Sequence, residues 1–383
     1  MSIAKGYKQT EVGVIPEDWE VKRIIDISLL KSGLSITANE ISEIGGYSCY
    51  GGNGLRGFTK KFTHNGKYPI IGRQGALCGN INYVEGKFFA SEHAVVVSVN
   101  NQTDAKWLSY VMIRMNLNQY SESSAQPGLS VNKIGILKIP FPLKKNEQTA
   151  IANALSDMDA LIAQTEKLIE KKKAIKQGVM QELLQPKEGW VTKKLGEVAN
   201  FFKGVGLPKS DLSDFGRFKC IHYGELFTSY KEQIVNIKNR TNKNIGVFFS
   251  KTNDVLMPTS DVTPNGLATA SCISENEVIL GGDILIIRCD SNIVDGVFLS
   301  YSIRYNRQQI MQLVSGSTVY HLYGSDMSRF NFSFPDLETQ KAASRLLIEM
   351  ENEINKFQTK LQKLKNQKQG MMQALLTGKI RLV

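Results

Sequence analysis

Lys176-Gln177-Gly178-Val179-Met180-Gln181-Glu182-Leu183-Leu184 occurs twice in this chain, the second time as Lys368-Gln369-Gly370-Met371-Met372-Gln373-Ala374-Leu375-Leu376. Seven of the nine positions are identical, and the copies are 192 residues apart. The same spacing relates Gln148 to Gln340 and Leu155 to Leu347. A repeat that holds its register over this length predicts a duplicated architecture.

A second repeat marks the start of each copy. Trp19 and Trp190 are 171 residues apart, and a short run of basic and apolar residues follows each of them. Phe141-Pro142 and Phe334-Pro335 then close the segment before each long helix. The chain is therefore predicted to contain a globule at 1–142, a helix at 143–186, a globule at 187–335 and a helix at 336–383, with approximate internal two-fold symmetry.

The two helical segments have a sustained heptad pattern, which is typical of coiled coils. A helix of about 38 residues is about 57 Å long, and a globule alone does not bury so long an apolar stripe. We expect the two helices to pack antiparallel and to separate the globules. The alternatives are that each helix packs on its own globule or that the helices join two chains. The predicted helix-pairing positions are Leu155, Met158, Ile162, Ile169, Leu347, Met350, Ile354, Phe357 and Leu361.

The two globular segments are predicted to be rich in β-strands. Short runs of β-branched residues, such as Ala94 to Val99 and Ile284 to Ile287, alternate with glycine-rich turns. Each segment also has one helical stretch, Ala105 to Tyr120 in the first and Val297 to Leu313 in the second. The predicted fold class is α+β, with one fold used twice and with different surfaces.

Charge and cysteine content narrow the functional classes. The chain of 383 residues has a net charge of +11 and a pI of about 9.2. Residues 56–73 and 236–251 contain basic but no acidic side chains, an arrangement that phosphate neutralisation requires. The five scattered cysteines form no CxxC pair, so a reducing cytoplasm is the expected location. No apolar run has the length of a membrane span.

Motifs for catalysis are weak in this sequence. Gly52-Asn53-Gly54-Leu55-Arg56-Gly57 fits GxGxxG, but the aromatic and β-branched residues that follow favour a β-turn over a dinucleotide-binding helix. No GxxxxGK[ST] motif is present, and the four histidines have no metal-binding spacing. Ser91-Glu92-His93 is interpreted as a hydrogen-bonded turn. The sequence therefore predicts a binding protein without catalysis of its own.

Several stretches resemble the DNA specificity subunits of type I restriction–modification systems. They are Gly6 to Trp19, Tyr50 to Gly57, Ile70 to Ala76, the Phe-Pro strand before a glutamine-bearing helix start, and the duplicated Lys-Gln-Gly motif. The resemblance implies two target-recognition domains that read the two halves of a split site in double-stranded DNA. It also implies two methyltransferase subunits docked on the helices and a translocating restriction subunit. S-adenosylmethionine, ATP and Mg²⁺ would then belong to those partners.

The loops of both globules supply candidates for DNA contacts in the major groove. Arginine suits guanine and glutamine suits adenine, each through two hydrogen bonds. The second globule departs from the first, because Asn253 to Pro258 stands where the first has its Gly-Arg-Gln-Gly loop. The candidate base readers are Tyr50, Asn53, Arg56, Arg73, Gln74, His222, Tyr223 and Arg288, and the candidate phosphate contacts are Lys60, Lys61, Lys67, Lys238, Arg240, Lys243, Lys251, Ser317 and Thr318.

Two other functions remain open at the level of sequence. The chain could be a coiled-coil adaptor whose β-rich domains bind protein or glycan, or a sequence-selective nuclease. DNA binding together with a methyltransferase partner argues against the adaptor. Cleavage of DNA by the purified chain with Mg²⁺ alone would support the nuclease.

Overall fold

The computed structural model describes residues 3–75, 77–122 and 128–382. The chain divides into two compact units, each with strands and helices. Unit 1 consists of Met1–Lys167 and Thr359–Val383, and unit 2 of Leu168–Gln358. Both long helices thus contribute to both units, and the division into four segments remains a prediction.

Unit 1 opens with two small antiparallel pairings, followed by its main sheet. Its strands are β1 (Tyr7–Thr10), β2 (Gly13–Pro16), β3 (Trp19–Arg23), β4 (Ser28–Ser32), β5 (Tyr47–Gly51), β6 (Gly54–Thr59), β7 (His64–Gly72), β8 (Ile81–Ala90), β9 (Ala94–Val99) and β10 (Lys138–Pro142). Its helices are α1 (Ile24–Ile27), α2 (Ala105–Met115), α3 (Val131–Gly135) and the first part of α4 (Lys145–Leu184), with 3-10 turns at Ala38–Glu40 and Leu117–Tyr120. The main sheet has the order β4-β9-β7-β8-β5-β6, β1 pairs with β2, and β3 pairs with β10.

Unit 2 has shorter strands in a related arrangement. They are β11 (Val191–Lys194), β12 (Ala199–Lys203), β13 (Phe218–Ile221), β14 (Gln233–Ile234), β15 (Arg240–Thr241), β16 (Phe248–Phe249), β17 (Val255–Pro258), β18 (Ser260–Asp261), β19 (Ser271–Ile273), β20 (Ile279–Leu280), β21 (Ile284–Cys289), β22 (Tyr320–His321) and β23 (Asn331–Phe334). The helices are the last part of α4, α5 (Glu225–Thr228), α6 (Gly296–Tyr305), α7 (Arg307–Leu313), α8 (Gly324–Met327) and the first part of α9 (Leu337–Leu375), with 3-10 turns at Leu195–Glu197, Lys209–Asp211 and Pro264–Ala268.

The strand pairings confirm that one fold is used twice. The order β12-β21-β17-β19 in unit 2 repeats the antiparallel order β4-β9-β7-β8 of unit 1. Strand β13 runs parallel to β20 and antiparallel to β15, as β5 does with β8 and β6. The Phe-Pro strands β10 and β23 pair with the strands at Trp19 and next to Trp190. The predicted α+β class and internal repeat are confirmed.

Helices α4 and α9 pack against each other in both units. In unit 1, Lys368 binds Asp159 at 2.6 Å and Lys365 binds Glu166 at 2.7 Å. In unit 2, Lys172 binds Glu353 at 2.7 Å and Lys176 binds Glu351 at 2.6 Å. Residue numbers fall along α9 as they rise along α4, so the helices are antiparallel, as expected.

The heptad positions are buried to different degrees. Leu155, Ile169, Leu347 and Ile354 are buried, whereas Met158, Ile162, Met350, Phe357 and Leu361 are half-buried. Leu155 belongs to the hydrophobic core of unit 1 and Leu347 to that of unit 2. The helix ends therefore also pack on the globules. Pairing of the two helices and packing of each helix on a globule, which the heptad pattern left as alternatives, occur together.

A buried glutamine fixes the first turn of each long helix to its unit. Gln148 accepts a hydrogen bond from the Asp104 backbone N–H at 2.7 Å and donates to the carbonyls of Gln102 and Pro142. Gln340 makes the corresponding bonds to Asp295, Ile293 and Pro335. Both glutamines are 0% exposed. Asp104 and Asp295 in turn cap the N-termini of α2 and α6, so each glutamine joins two helices and a strand.

The lysine of the duplicated motif makes the same three-way contact in both units. Lys368 lies over the Tyr110 ring at 5.6 Å, in addition to its ion pair with Asp159, and Lys176 lies over the Tyr301 ring at 5.2 Å. A cation above an aromatic face is attracted to it. These lysines therefore connect one long helix to the other and to the globule, which explains why this part of the motif occurs twice.

The carboxyl-terminal segment closes unit 1. The Arg381 guanidinium binds Asp18 at 2.8 Å and also binds the buried carboxylate of Glu147. The Trp19 indole N–H donates to the same Glu147 at 3.2 Å. Hydrogen bonding to Arg381 holds the pKa of Asp18 below its usual value. In unit 1, one hydrogen-bond network thus joins Arg381, after α9, to the start of β3 and to the first turn of α4.

We predict that Gln148→Ala and Gln340→Ala each lower the free energy of unfolding by about 3 kcal/mol or more. Each substitution leaves several buried backbone groups without a partner, and each such group costs about 1–3 kcal/mol. The matched controls are Gln177→Ala and Gln369→Ala, exposed on the same helices. Urea unfolding followed by circular dichroism measures the difference. Equal stability of the two pairs of variants would contradict the prediction.

Candidate nucleic-acid interface

Three loops of unit 1 meet in an open cleft beside the main sheet. The cleft is lined by Gly52, Asn53, Arg56, Gln74, Gly75 and His93. A Cβ atom on Gly72 would come within 1.9 Å of the Gly52 carbonyl oxygen, and one on Gly52 within 2.6 Å of the Gln74 carbonyl oxygen. Glycine is therefore required at both positions for the loops to approach this closely. The GxGxxG segment is the β5–β6 turn, as expected.

Three predicted base readers of unit 1 present free polar groups in this cleft. Asn53, Arg56 and Gln74 are exposed. The Arg56 guanidinium makes no hydrogen bond or salt bridge to another described residue. His93, which the sequence had indicated only as part of a turn, joins them with its Nε2 atom 3.3 Å from Glu92. This set can donate and accept hydrogen bonds at base edges.

The other two candidates of unit 1 are engaged within the protein. Arg73 is half-buried, and its Nη1 atom donates to the Ser32 hydroxyl of β4 at 2.9 Å. Its main chain bonds to His93 and Leu129, which fixes the loop. The Tyr50 ring packs edge-on against Phe88 at 6.0 Å, next to the core. The structure therefore gives both residues supporting contacts.

The predicted phosphate contacts of unit 1 are exposed, Lys60 and Lys61 just after β6 and Lys67 within β7. Lys60 makes no side-chain hydrogen bond or salt bridge to another described residue, Lys61 pairs with Glu40 at 3.1 Å, and Lys67 pairs with Glu85 at 3.7 Å. Exposed pairs of this kind contribute about 0–1 kcal/mol. The lysines can therefore exchange these partners for phosphate at little cost.

In unit 2, Arg288 differs from the other candidates because its guanidinium is held by an ion pair and by two aromatic rings. Its guanidinium makes two 2.7 Å bonds to Asp254, a carboxylate that is 1% exposed. Phe202 and Phe248 lie on the guanidinium at 5.0 and 5.5 Å. The Asp254 hydrogen bonds raise the pKa of Arg288. This arrangement joins β17 to β21 and leaves the arginine little freedom to meet a base.

His222 and Tyr223 form a compact turn after β13. The His222 backbone N–H donates to Glu225 at 2.8 Å, and its Nδ1 atom accepts from the Gly224 N–H at 3.2 Å. The two rings are 4.8 Å apart, and Tyr223 packs beside a hydrophobic cluster. Both residues are half-buried, so only part of each is available to a ligand.

The counterpart of the Arg73 loop differs from the expected one. Asn253 to Pro258 was expected in its place, but Val255–Pro258 is strand β17, which corresponds to β7. The loop that follows is fixed as in unit 1: the Thr259 N–H donates to Asp283 and its carbonyl accepts from Leu322. Ser260 and Asp261, which pair with His321 and Tyr320, lie at the corresponding place in unit 2, and the sequence did not indicate them because the residues differ and only the strand before them shows the match.

The predicted phosphate contacts of unit 2 fall into two groups. The Arg240 guanidinium donates to the Gly216 carbonyl at 3.4 Å, and Lys243 to that of Gly206 at 2.9 Å and to Asp211. The others are exposed, without a side-chain hydrogen bond or salt bridge to another described residue: Lys238, Lys251, Ser317 and Thr318.

None of the helices in the described part of the chain has the length and apolar character that crossing a membrane requires.

The comparison with protein families decides the identity of the fold. The model of the type I restriction modification DNA specificity domain matches residues 16–176 and again residues 187–366. This chain belongs to that family. One match falls on each copy of the repeat, so the duplicated units and their helices are the duplicated specificity domain.

Curated relatives agree with this assignment. The chain is 44% identical over 144 residues to the type I restriction enzyme EcoprrI specificity subunit of Escherichia coli, which covers 37% of this chain and 36% of that protein. It is 26% identical over 436 aligned positions to the putative type I restriction enzyme MjaX specificity subunit of Methanocaldococcus jannaschii, covering 99% of this chain and 97% of the relative. The role in DNA specificity is thereby supported for both units.

Solved structures show the same fold at low identity. The S subunit of the type I system of M. genitalium has a TM-score of 0.69 and 16% identity, with 98% of each chain covered. A chain from work on complex assembly and conformational transition of the type I system has a TM-score of 0.53 and 13% identity, with 96% of this chain and 99% of that chain covered. The individual DNA contacts remain predictions.

We predict that Arg56→Ala lowers affinity for the cognate DNA by about 1–3 kcal/mol and relaxes one base position. The free energy of unfolding should not change, because the side chain is exposed. Arg73→Ala should instead destabilise the protein by about 1–2 kcal/mol through the lost Ser32 bond. Fluorescence anisotropy of the assembled complex on cognate and scrambled duplexes measures the first effect, and thermal unfolding the second. An equal loss on both duplexes for Arg56→Ala would make it a phosphate contact.

For Arg288, we predict that alanine substitution costs about 3–5 kcal/mol of folding stability, because it leaves the buried Asp254 carboxylate unpaired. The double variant Arg288→Met with Asp254→Leu should recover much of that loss. Chemical denaturation of the three proteins makes the comparison. If Arg288→Ala folds as stably as the parent but loses DNA discrimination, the arginine is a base reader after all.

Proposed function

We propose that this chain is the DNA-reading subunit of a type I restriction–modification complex and that each unit reads one half of a split DNA site. The observation that carries the proposal is that equivalent positions of the two units have different side chains. The segment after β7 in unit 1 has the exposed side chain of Gln74, whereas the corresponding segment after β17 in unit 2 is β18, with the half-buried side chains of Ser260 and Asp261. Two units with one fold and different loop residues are suited to two different half-sites.

Local positive charge supports DNA as the ligand of both units. Unit 1 has Arg56 exposed in its cleft and Lys60 exposed after β6, and unit 2 has Lys238 and Lys251 exposed. Phosphate contacts position a protein on the duplex, and base contacts select the sequence. Each unit therefore has both kinds of group, which a module for binding glycan or neutral protein surfaces does not need.

The duplicated helix motif supports the docking of two methyltransferase subunits. Gln177 and Gly178 are exposed, as are Gln369 and Gly370, and nothing lies within 4 Å of a Cβ placed on either glycine. Glycine in a helix interior costs about 1 kcal/mol relative to alanine. No contact among the described residues explains this cost, yet it occurs in both copies. The same exposed Gln-Gly pair on two helices fits two copies of one partner whose backbone approaches closely.

The chemistry in this proposal belongs to the partners. Methyl transfer would use S-adenosylmethionine bound by the methyltransferase subunits, and DNA translocation and cleavage would use ATP and Mg²⁺ bound by the restriction subunits. The contribution of this chain is to bind and position DNA. Its family role in DNA specificity supports that division of labour.

Blocking one docking surface tests the helix assignment. Gly178→Arg should remove one methyltransferase subunit from the complex, Gly370→Arg the other, and the double substitution both, because the bulky side chain fills the surface next to the glycine. Native mass spectrometry gives the stoichiometry. Gln164→Arg, at an exposed position of the same helix, is the matched control. The control should keep both methyltransferase subunits, and full occupancy in the three glycine variants as well would contradict the assignment.

Mapping methylated motifs tests the proposed DNA reading itself. Cells that express this chain with its methyltransferase should carry a split motif. Replacing Asn53, Arg56 and Gln74 by alanine should alter one half and leave the other unchanged. A single continuous motif, or cleavage of DNA by the purified chain with Mg²⁺ alone, would contradict the proposal.

A further inference from the structure

The two units have a large apolar side chain almost completely exposed to solvent at the same position of the repeat; Ile245 of unit 2, at 83%, is similarly exposed but is not part of this matching pair. Among the described residues, Ile44 is the most exposed large apolar residue of unit 1, at 86%, and Phe215 that of unit 2, at 96%. They are 171 residues apart, the same spacing that relates Trp19 to Trp190. Single exposed apolar residues are common. The recurrence at matching positions calls for a functional cause.

Both side chains stand on turns that are fixed to the neighbouring strand. In unit 1 the turn follows the 3-10 segment Ala38–Glu40 and precedes β5. Ser42 and Phe58 exchange two main-chain hydrogen bonds of 2.8 Å. Gly46 has a φ of 69° and would place a Cβ 2.3 Å from the Thr59 carbonyl oxygen. The turn is therefore anchored to β6, and Ile44 is held at its outer end.

The turn of unit 2 is anchored in the same way. It follows the 3-10 segment Lys209–Asp211 and precedes β13. The Ser213 N–H donates to the Arg240 carbonyl at 2.8 Å, and the Thr241 hydroxyl donates to Asp211 at 2.7 Å. A Cβ on Gly216 would lie 2.4 Å from the Thr241 backbone nitrogen. Phe215 is thus presented by β15 as Ile44 is presented by β6, with little conformational freedom to lose on binding.

An acidic residue precedes the apolar residue at the tip of each turn, and basic residues lie near the anchored end, which is called its base; one of them, Lys61, is paired with Glu40. Glu43 precedes Ile44 and Asp214 precedes Phe215, and both carboxylates are exposed. Lys60 and Lys61 follow the strand that anchors the first turn, and Arg217 and Arg240 flank the second. Phosphate attracts these cations and repels the carboxylates. On a DNA duplex, the favoured orientation of such a turn therefore has its anchored end over the phosphate backbone and its apolar tip in a groove.

The tip chemistry matches pyrimidine edges in the major groove. A carboxylate accepts a hydrogen bond from the cytosine N4 amino group, and an apolar side chain packs on the thymine methyl group. We propose that Glu43-Ile44 and Asp214-Phe215 are base-contacting tips, each of which discriminates a base position in the half-site of its own unit. This inference rests on the proposed DNA-reading function and extends it to residues outside the loop clefts.

In unit 1 the tip and the cleft are well placed to read different bases. The turn at Asn53 precedes the first residue of β6, Gly54, and the Ile44 turn is anchored at Phe58. Four residues of strand span about 13 Å, the rise of about four base pairs. Contact of the tips with a protein partner is the competing explanation, and the basic residues at both bases favour DNA.

The test compares Ile44→Ala and Phe215→Ala with the parent chain in the complex assembled with its methyltransferase. Affinity is measured for duplexes in which each position of the recognised site carries each of the four base pairs. Ile44→Ala should reduce discrimination at one position of one half-site by about fivefold or more, and Phe215→Ala at one position of the other half-site. Glu43→Gln and Asp214→Asn should change preference at the same or a neighbouring position.

The controls are Ile136→Ala in unit 1 and Val191→Ala in unit 2, exposed apolar residues on other surfaces. The midpoint of thermal unfolding of every variant should stay within about 2 °C of that of the parent chain, because the substituted side chains are exposed. Unchanged discrimination would overturn the proposal, as would a uniform loss on all duplexes. Loss of the methyltransferase with normal DNA preference would assign the tips to protein docking instead. If the parent complex itself recognises no split site, that result contradicts the proposed DNA-reading function and does not test the role of the tips.

Discussion

Gln148 and Gln340 provide the contact on which the rest of this structure depends. Each is fully buried at the first turn of a 40- or 39-residue helix, and each satisfies three backbone groups of its unit. A buried amide with all its bonds made permits little movement, because any displacement leaves polar groups unpaired. The orientation of each helix on its β-rich unit is therefore set by hydrogen bonding as well as by apolar packing.

The lysines of the duplicated motif extend this constraint to the second helix. Lys368 and Lys176 each join an acidic residue on the opposite helix to a tyrosine of the globule. Each unit thus contains parts of both helices, fixed at one end by glutamine and further along by lysine. A unit built in this way can vary its loops without disturbing the helices. That separation suits a protein whose scaffold is shared while its recognised sequence changes.

The sequence predicted the architecture, whereas the contacts of the candidate site residues could not be predicted from it, for a physical reason. Helix periodicity, the Phe-Pro strands and the repeated Gln and Lys are local patterns, and their contacts recur at constant spacing. Arg73 and Arg288 are predicted base readers because arginine is the usual partner of guanine; their bonds to Ser32 and Asp254 could not be predicted, since these partners are distant in sequence and only folding brings them close. The correspondence of Ser260 and Asp261 with the segment after β7 could not be predicted either, because unit 2 shares strand order with unit 1 and not the residues that follow the strands. Ile44 and Phe215 became visible only when exposure was combined with the 171-residue offset.

Position-specific photocrosslinking tests the central claim most directly. A photoreactive amino acid is placed at Asn53 in unit 1 or at Lys238 in unit 2, and the assembled complex is irradiated on a duplex that contains the recognised site. The account predicts that Asn53 crosslinks within one half of the site and Lys238 within or beside the other. Crosslinks from both positions to the same half, or from either position at random along the duplex, would contradict it.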